Sequence, residues 1–193
     1  MPRPILPIRA GDRPPEPPAF GGLGPEGWSR GATFLEFVEG AGEHRAEIEA
    51  AFRGVDPPAA VAEFFAGYPR RVRVLALADV HSLDARVNVA QAERLFSLGS
   101  KLWMRIFAPE RHSEVVQRLS PAGVESLLFV FFGDGPQPLG RWGPRPRRLQ
   151  ELGAGRAPAE LGALARSFYA QSRGLDLAEE LRALLEGQRG EAP

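Results

Sequence analysis

The feature that most constrains this chain is a set of three short apolar runs with a helical segment between each pair. The runs are RVRVLALA (71–78), KLWMRIF (101–107) and SLLFVFF (126–132). Such runs are typical of strands, and the third reads as a strand covered on both faces of a sheet. Helical patterns lie between them at 84–98 and 109–119. The first two strands are therefore predicted to be parallel and joined by a right-handed crossover.

A fourth strand is predicted immediately after the third. The turn GDGPQ separates SLLFVFF from PLGRW (138–142), which favours an antiparallel pair at one edge of the sheet. Helices are also predicted before and after these strands in the sequence. Thr33 and Glu36 have the spacing of a capping box, Asp56 is predicted to cap a later helix, and a last helix begins at Asp176.

This order of elements predicts an α/β domain with a central mixed sheet of about four strands flanked by helices. Extra helices precede the sheet, and a helical extension follows it. Residues 1–27 are rich in proline and glycine, so they are predicted to form an extended arm that lies on the domain or is loose in solvent. The alternative is an arm that docks on another chain. Residues 28–193 are predicted to form a single domain.

Composition excludes several classes of function. The 193 residues include 24 basic and 24 acidic side chains, so no net field favours nucleic acid or membranes. The chain has no cysteine, which excludes disulfides, thiolate metal sites and cysteine nucleophiles. The longest apolar run is too short to span a bilayer, and the N-terminus lacks the apolar segment of a signal peptide. We therefore expect a soluble, cytoplasmic protein.

The junction between the first strand and the next helix carries the most informative motif. It reads HSLDARVNVA (81–90). This stretch resembles, without a gap, the W-C-G-D-A-A-x-N-V-P stretch of a branch of bacterial thioredoxin-like proteins. GRWGPRP (140–146) is similar to the W-G-x-R-P stretch that follows their last strand, and residues 168–186 are similar to their closing helical segment. The resemblance covers about 57–187 and implies a thioredoxin-like fold. The matching junction residues are Asp84, Ala85, Asn88 and Val89.

The departures from this family concern its reactive residues. By the resemblance, Ser82 stands in place of the nucleophilic cysteine and Ala85 in place of a resolving cysteine. Thiol–disulfide exchange needs a thiolate, which a serine hydroxyl cannot replace. The family's cis-proline position falls on Ser126, after Glu125, and we expect a trans bond there because cis costs about 3–4 kcal/mol before a non-proline residue. The resemblance thus implies a thioredoxin-like protein without redox activity.

The resemblance also implies a candidate binding cleft beside Glu125 and Ser126. Redox-active relatives bind extended chains beside the loop that carries their cis-proline. An unknown protein, a peptide or a small anionic ligand would be the partner. The basic stretch WGPRPRR (142–148) adds Arg147 and Arg148 to Arg145, and such a group of arginines is suited to binding phosphate or carboxylate. The alternative is that this stretch is a solvated turn in which Trp142 packs on the edge of the sheet. The candidate residues are His81, Ser82, Asp84, Glu125, Ser126, Trp142 and Arg145.

Two catalytic interpretations of the junction are weaker. His81, Ser82 and Asp84 have the residue types of a hydrolytic triad, but three residues in one turn rarely reach one another correctly. We expect instead that Ser82 or Asp84 caps the helix and that His81 is partly solvated. Asp79, His112 and the distant His44 add possible metal ligands without the spacing of a zinc motif, so no metal or other cofactor is predicted.

Three functional hypotheses therefore remain. The first is a noncatalytic binding module that uses the cleft. The second is a structural or homo-oligomeric role in which the N-terminal arm and the terminal helices form an interface. The third is a hydrolase that uses Ser82 and His81.

Overall fold

A four-stranded sheet organises the residues that the computed structural model describes, 24–187. The strands lie in the order β2-β1-β3-β4, with β1 and β2 parallel and β3 antiparallel to both of its neighbours. The predicted mixed sheet and its antiparallel edge are confirmed. The strands are β1 (Val72–Ala78), β2 (Leu102–Phe107), β3 (Leu127–Phe132) and β4 (Pro138–Trp142).

Helices flank this sheet before, within and after the strands. A single 3₁₀ turn at Gly42–His44 precedes the third of them. Within residues 24–187 the α-helices are α1 (Pro25–Ser29), α2 (Phe34–Glu39), α3 (Arg45–Arg53), α4 (Ala59–Ala66), α5 (Leu83–Phe96), α6 (Ser113–Leu119), α7 (Arg147–Gly153), α8 (Pro158–Ser172) and α9 (Leu175–Gly187).

The strand β1 lies at the centre of the protein and is buried along its whole length. Side chains of a strand alternate between the two faces of its sheet. Val74 and Ala76 belong to the larger core beneath α4, α5 and α9, whereas Leu75 and Leu77 pack in a second core that includes Trp28 of α1. Both faces of the sheet are therefore covered, which explains why the strands are so apolar.

Helix α5 is the most enclosed helix of the described chain. It contacts α3, α4, α8 and α9 as well as the sheet. The pattern of this segment predicts one apolar face, yet Arg86, Asn88 and Gln91 are buried as well. Buried polar groups need hydrogen-bond partners inside the protein. The polar side chains of α5 are therefore where a site is to be sought.

Three predicted details differ from the structure. Helix α4 begins at Ala59 with Pro58 as its N-cap, so Asp56 is not the cap. The reason is that the residue before a proline avoids the helical conformation, which delays the helix until Pro58 has passed. Residues 109–111 form a turn and α6 begins at Ser113, so α6 is shorter than predicted. Helix α7 was not predicted; it begins at the end of the basic stretch 142–148 and buries only Leu149.

The predicted N-terminal arm, residues 1–27, lies mostly outside the described residues. Its last residues belong to α1, in which Pro25 occupies the first turn. The side chain of Trp28 is buried against the sheet. Over residues 24–187 no helix combines the length and the apolar character needed to cross a bilayer.

Candidate functional site

The loop that joins β1 to α5 is closed by Asp79. Its carboxylate accepts the His81 backbone N–H at 2.9 Å, and its carbonyl accepts the Ser82 N–H at 3.0 Å. Ser82 occupies the N-cap position of α5, but its side chain makes no capping bond. The Ser82 hydroxyl is half-buried and bonds to no described residue, while His81 is exposed. The junction thus presents an uncommitted hydroxyl at the start of a buried helix.

Arg86 fixes the loop from inside. Its side chain is buried and donates to the carbonyls of Val80 and His81 at 2.9 and 2.8 Å. It also pairs with Glu47 of α3 at 2.5 Å. Because a buried charge is costly unless it is paired and hydrogen-bonded, these three contacts hold the loop against α3.

Three buried side chains and one partly buried arginine meet beside the first turns of α5 and are called here the buried polar cluster: Asp84, Asn88, Tyr169 and Arg145. The Tyr169 hydroxyl donates to Asp84 Oδ1 at 2.5 Å, and Asn88 Nδ2 donates to the Tyr169 oxygen and to the Asp84 carbonyl, both at 2.8 Å. Arg145 lies 2.7 Å from Asp84 Oδ2. The buried polar cluster therefore joins three segments that are far apart in the sequence.

Burial controls the protonation of this cluster. It raises the pKa of Asp84, although the hydrogen bond from Tyr169 and the charge of Arg145 oppose the shift. It also raises the pKa of Tyr169 far above its ordinary value, an effect that the Asp84 charge reinforces. The Tyr169 hydroxyl therefore keeps its proton and donates a hydrogen bond to Asp84.

The other side of the predicted cleft consists of the residues that precede β3. Glu125 is exposed and lies 3.4 Å from the same Arg145 nitrogen that bonds Asp84, so Arg145 connects the two sides. Ser126 is buried, and its carbonyl accepts the Asp79 N–H at 3.0 Å. Its hydroxyl has no partner. The Glu125–Ser126 bond is trans as expected, since the cis bond among the described residues is Gly143–Pro144.

A family model described as thioredoxin matches residues 31–160, which is more than half of the chain. The chain belongs to the thioredoxin family. It contains no cysteine, so this thioredoxin-family protein cannot perform dithiol–disulfide exchange. No curated protein matches the sequence significantly.

Two solved structures share the fold. One is the crystal structure of PA1234, a protein of unknown function from Pseudomonas aeruginosa, with a TM-score of 0.70 and 20% identity over 83% of this chain and 95% of that one. The other is an HIV epitope-scaffold, with a TM-score of 0.66 and 20% identity over the same shares of the two chains. At this level of identity the likeness extends to the fold alone.

Trp142 does not offer an open ring to a ligand in this thioredoxin-family protein. Its side chain is buried and stacks on Phe129 with ring centroids 5.5 Å apart. Its indole N–H donates to Glu180 at 2.6 Å. The packed arrangement is therefore the one that the structure adopts.

The arginines of the basic stretch 142–148 each lie beside a carboxylate. Arg147 lies 3.6 Å from Glu151, and Arg148 lies 3.7 Å from Asp176, with both arginine side chains largely exposed. Arg145 is held by Asp84. Of the three, Arg145 makes the shortest and least exposed ion pair, whereas the pairs of Arg147 and Arg148 are on the surface and weak.

The junction residues do not assemble a hydrolytic triad. Asp84 is oriented by Tyr169 and Arg145, and no hydrogen bond joins His81 to Ser82 or Asp84 within the described chain. The His81 ring instead meets the His44 ring edge to face at 6.0 Å. This proximity is invisible in the sequence, where the two histidines are far apart.

A metal centre is not assembled either. Over residues 24–187 no group of three or more histidine, aspartate or glutamate side chains is arranged to hold a metal ion. His112 lies against Phe107, and its Nδ1 is 3.1 Å from the Ala108 carbonyl.

Sequence reasoning singled out Asp84 and Arg145 but missed their shared partner. Tyr169 lies inside the stretch quoted for its likeness to the family's closing helix, yet nothing in that helix alone marks it as a partner of Asp84. The available signal was a hydroxyl-bearing aromatic side chain beside an apolar helical stripe, since buried tyrosine hydroxyls usually find a partner.

Proposed function

We propose that this protein is a noncatalytic binding module that holds an extended peptide segment of a partner protein. The peptide would lie along the cleft between Ser82 and residues 124–126. The observation that carries the proposal is the backbone of Val124 and Glu125, which forms no hydrogen bond with any described residue. This segment bends directly before β3, which lies between β1 and β4, so its free N–H and C=O groups lie just beyond the paired part of the sheet.

Free main-chain groups beside a strand favour peptide recognition. An extended peptide can bond to them through its own backbone, while nearby pockets select its side chains. A cavity of about 190 Å³ adjoins Glu125 and Arg145, with Pro144, Gln150 and Leu161 among its other lining residues. This cavity is a place for one peptide side chain. Ser82 does not line this cavity, and its uncommitted hydroxyl would meet another part of the same peptide.

Charge favours a peptide over a small anion at this cleft. Arg145 already faces two carboxylates, those of Asp84 and Glu125. An incoming anion would have to displace one of them or accept like-charge repulsion. A peptide backbone is neutral and meets no such penalty.

The surface gives the assembly hypothesis less support. Among the described residues, only Leu35 and Leu152 are large apolar side chains that are clearly exposed. Scattered single apolar residues are normal on a protein surface. The binding-module interpretation is therefore the one that we retain.

An array of extended dodecapeptides, followed by NMR titration of the strongest binder, tests this proposal. We expect the amide signals of Val124 and Glu125 to shift on binding. The dissociation constant should rise by about tenfold or more in Glu125→Lys, because Glu125 lines the cavity and a lysine there would be repelled by Arg145. Glu151→Lys is the matched control, because Glu151 is equally exposed (69% against 70%) and also lies beside an arginine. If no peptide shifts these amides, or if both variants weaken binding equally, the cleft is not a peptide site.

A further inference from the structure

We infer a second binding site in a groove between α3, α5 and α8, suited to a small neutral molecule with a primary amide or a similar paired donor and acceptor. The groove encloses about 360 Å³, at the lower end of the range for small-molecule sites. Its walls are mainly apolar and are formed by Ala50, Ala51, Val87 and Ala170. This volume suits a single ring that carries one polar group.

Gln91 identifies the polar group that the site would recognise. Its side chain lines the groove and is only 3% exposed. Within the described chain its amide forms no hydrogen bond. Neither amide atom is both fully enclosed and unbonded, so the amide is open to the groove that the side chain lines. The amide offers one acceptor and two donors, so a primary amide would complete both kinds of bond at once.

The other polar groups around the groove are already engaged. Glu47 pairs with Arg86, and Arg173 donates to the Gly54 carbonyl at 3.1 Å and lies 3.5 Å from Asp56. The Tyr169 hydroxyl bonds Asp84, so its ring is the part available to the groove. No unbalanced charge remains among these residues, and the expected ligand is therefore neutral.

The groove is separate from the peptide cleft. None of Ser82, Glu125, Ser126 or Arg145 lines it. The inference therefore stands or falls independently of the proposed peptide binding.

Benzamide and acetophenone are the probes that test the site, because they differ only in the amide NH₂ that a methyl group replaces. We expect benzamide to produce saturable NMR shifts at the Gln91 side-chain amide and the Val87 methyls of the full chain. Its dissociation constant should be about tenfold lower than that of acetophenone, since the ketone leaves the Gln91 carbonyl unpaired.

Gln91→Leu should remove this preference, because leucine offers neither a donor nor an acceptor to the probe. The matched control is Gln171→Leu, which removes an exposed amide bonded to Ser167 on α8 and should leave the preference intact. Ala51→Phe should fill the groove and abolish binding of both probes. Equal affinities for the two probes, an unchanged preference in Gln91→Leu, or the absence of saturable shifts would each overturn the inference.

Discussion

Two positions at the start of α5, only two residues apart, have opposite structural roles. Asp84 is buried and bonded to Tyr169 and Arg145, so three segments of the chain depend on it. Ser82 stands where the family resemblance places the nucleophilic cysteine, and its side chain bonds to no described residue. The comparison indicates that the framework around the family's reactive position does not need the reactive residue.

The physical reason is the different cost of changing each position. A buried ion pair cannot lose one partner without leaving an uncompensated charge, so Asp84 and Arg145 constrain each other. A half-exposed hydroxyl without partners leaves nothing unsatisfied when it is replaced. The buried polar cluster thus stabilises the fold. Residue 82 can be changed, for example from a reactive cysteine to serine, without a loss of buried contacts.

The largest expected effect follows from breaking the buried polar cluster at Arg145. Arg145→Met should lower the free energy of unfolding by about 3 kcal/mol at neutral pH, because it strands the Asp84 carboxylate. Urea unfolding measures this loss, which should appear as a lower midpoint with an unchanged m-value. The control is Arg148→Met, whose ion pair with Asp176 is 71% exposed on the arginine side and should cost less than about 1 kcal/mol.

A double variant separates the charge from the packing. Asp84→Asn combined with Arg145→Met removes both charges, so it should recover part of the stability lost in Arg145→Met alone. A double variant that loses the sum of the two single losses would show that the ion pair is not the source of the effect.

The strands were within reach of sequence reasoning for a simple reason. Runs such as RVRVLALA are apolar because both faces of the sheet are covered, so their composition alone reports the environment. The capping box of Thr33 and Glu36 is equally local, and both of its hydrogen bonds are present. Local signals of this kind need no knowledge of the rest of the chain.

The buried polar cluster was beyond such reasoning because its partners are remote. Tyr169 is 85 residues from Asp84, and the helix that carries it covers a side of α5 that the sequence pattern does not mark as buried. The same holds for Gln91, whose burial depends on α3 and α8 lying across α5. From sequence alone, polar residues on a helix predict a solvent-exposed face, and only the position of a remote element shows that the face is buried.

An intermediate effect is expected from the titration of Asp84. Its pKa is raised in the folded protein, so the folded state binds this proton more tightly than the unfolded state does. The stability linked to Asp84 is therefore fully present below the unfolded pKa of about 3.9 and is lost as the pH rises through the folded pKa. Wild-type protein should lose stability relative to Asp84→Asn over that window.

Urea midpoints of the two proteins between about pH 4 and pH 8 give this difference directly. Carboxylates with lowered pKa, such as Glu36, which accepts the Thr33 backbone N–H, act in the opposite direction but are common to both proteins. A difference that grows in favour of the wild type as the pH rises would mean that burial does not dominate at Asp84.

The smallest expected effect belongs to Ser82 and is measured against another N-cap. The Thr33 hydroxyl accepts the Glu36 N–H at 3.2 Å, so Thr33→Ala should cost about 1 kcal/mol of unfolding free energy. Ser82 occupies the same helical position without a side-chain bond, so Ser82→Ala should change stability by less than about 0.5 kcal/mol. A loss at Ser82 equal to that at Thr33 would show that its hydroxyl caps α5 in solution and is not free for a ligand. A neutral result joined to weaker peptide binding would place the role of Ser82 in recognition, because a side chain that adds nothing to folding can affect binding only by touching what is bound.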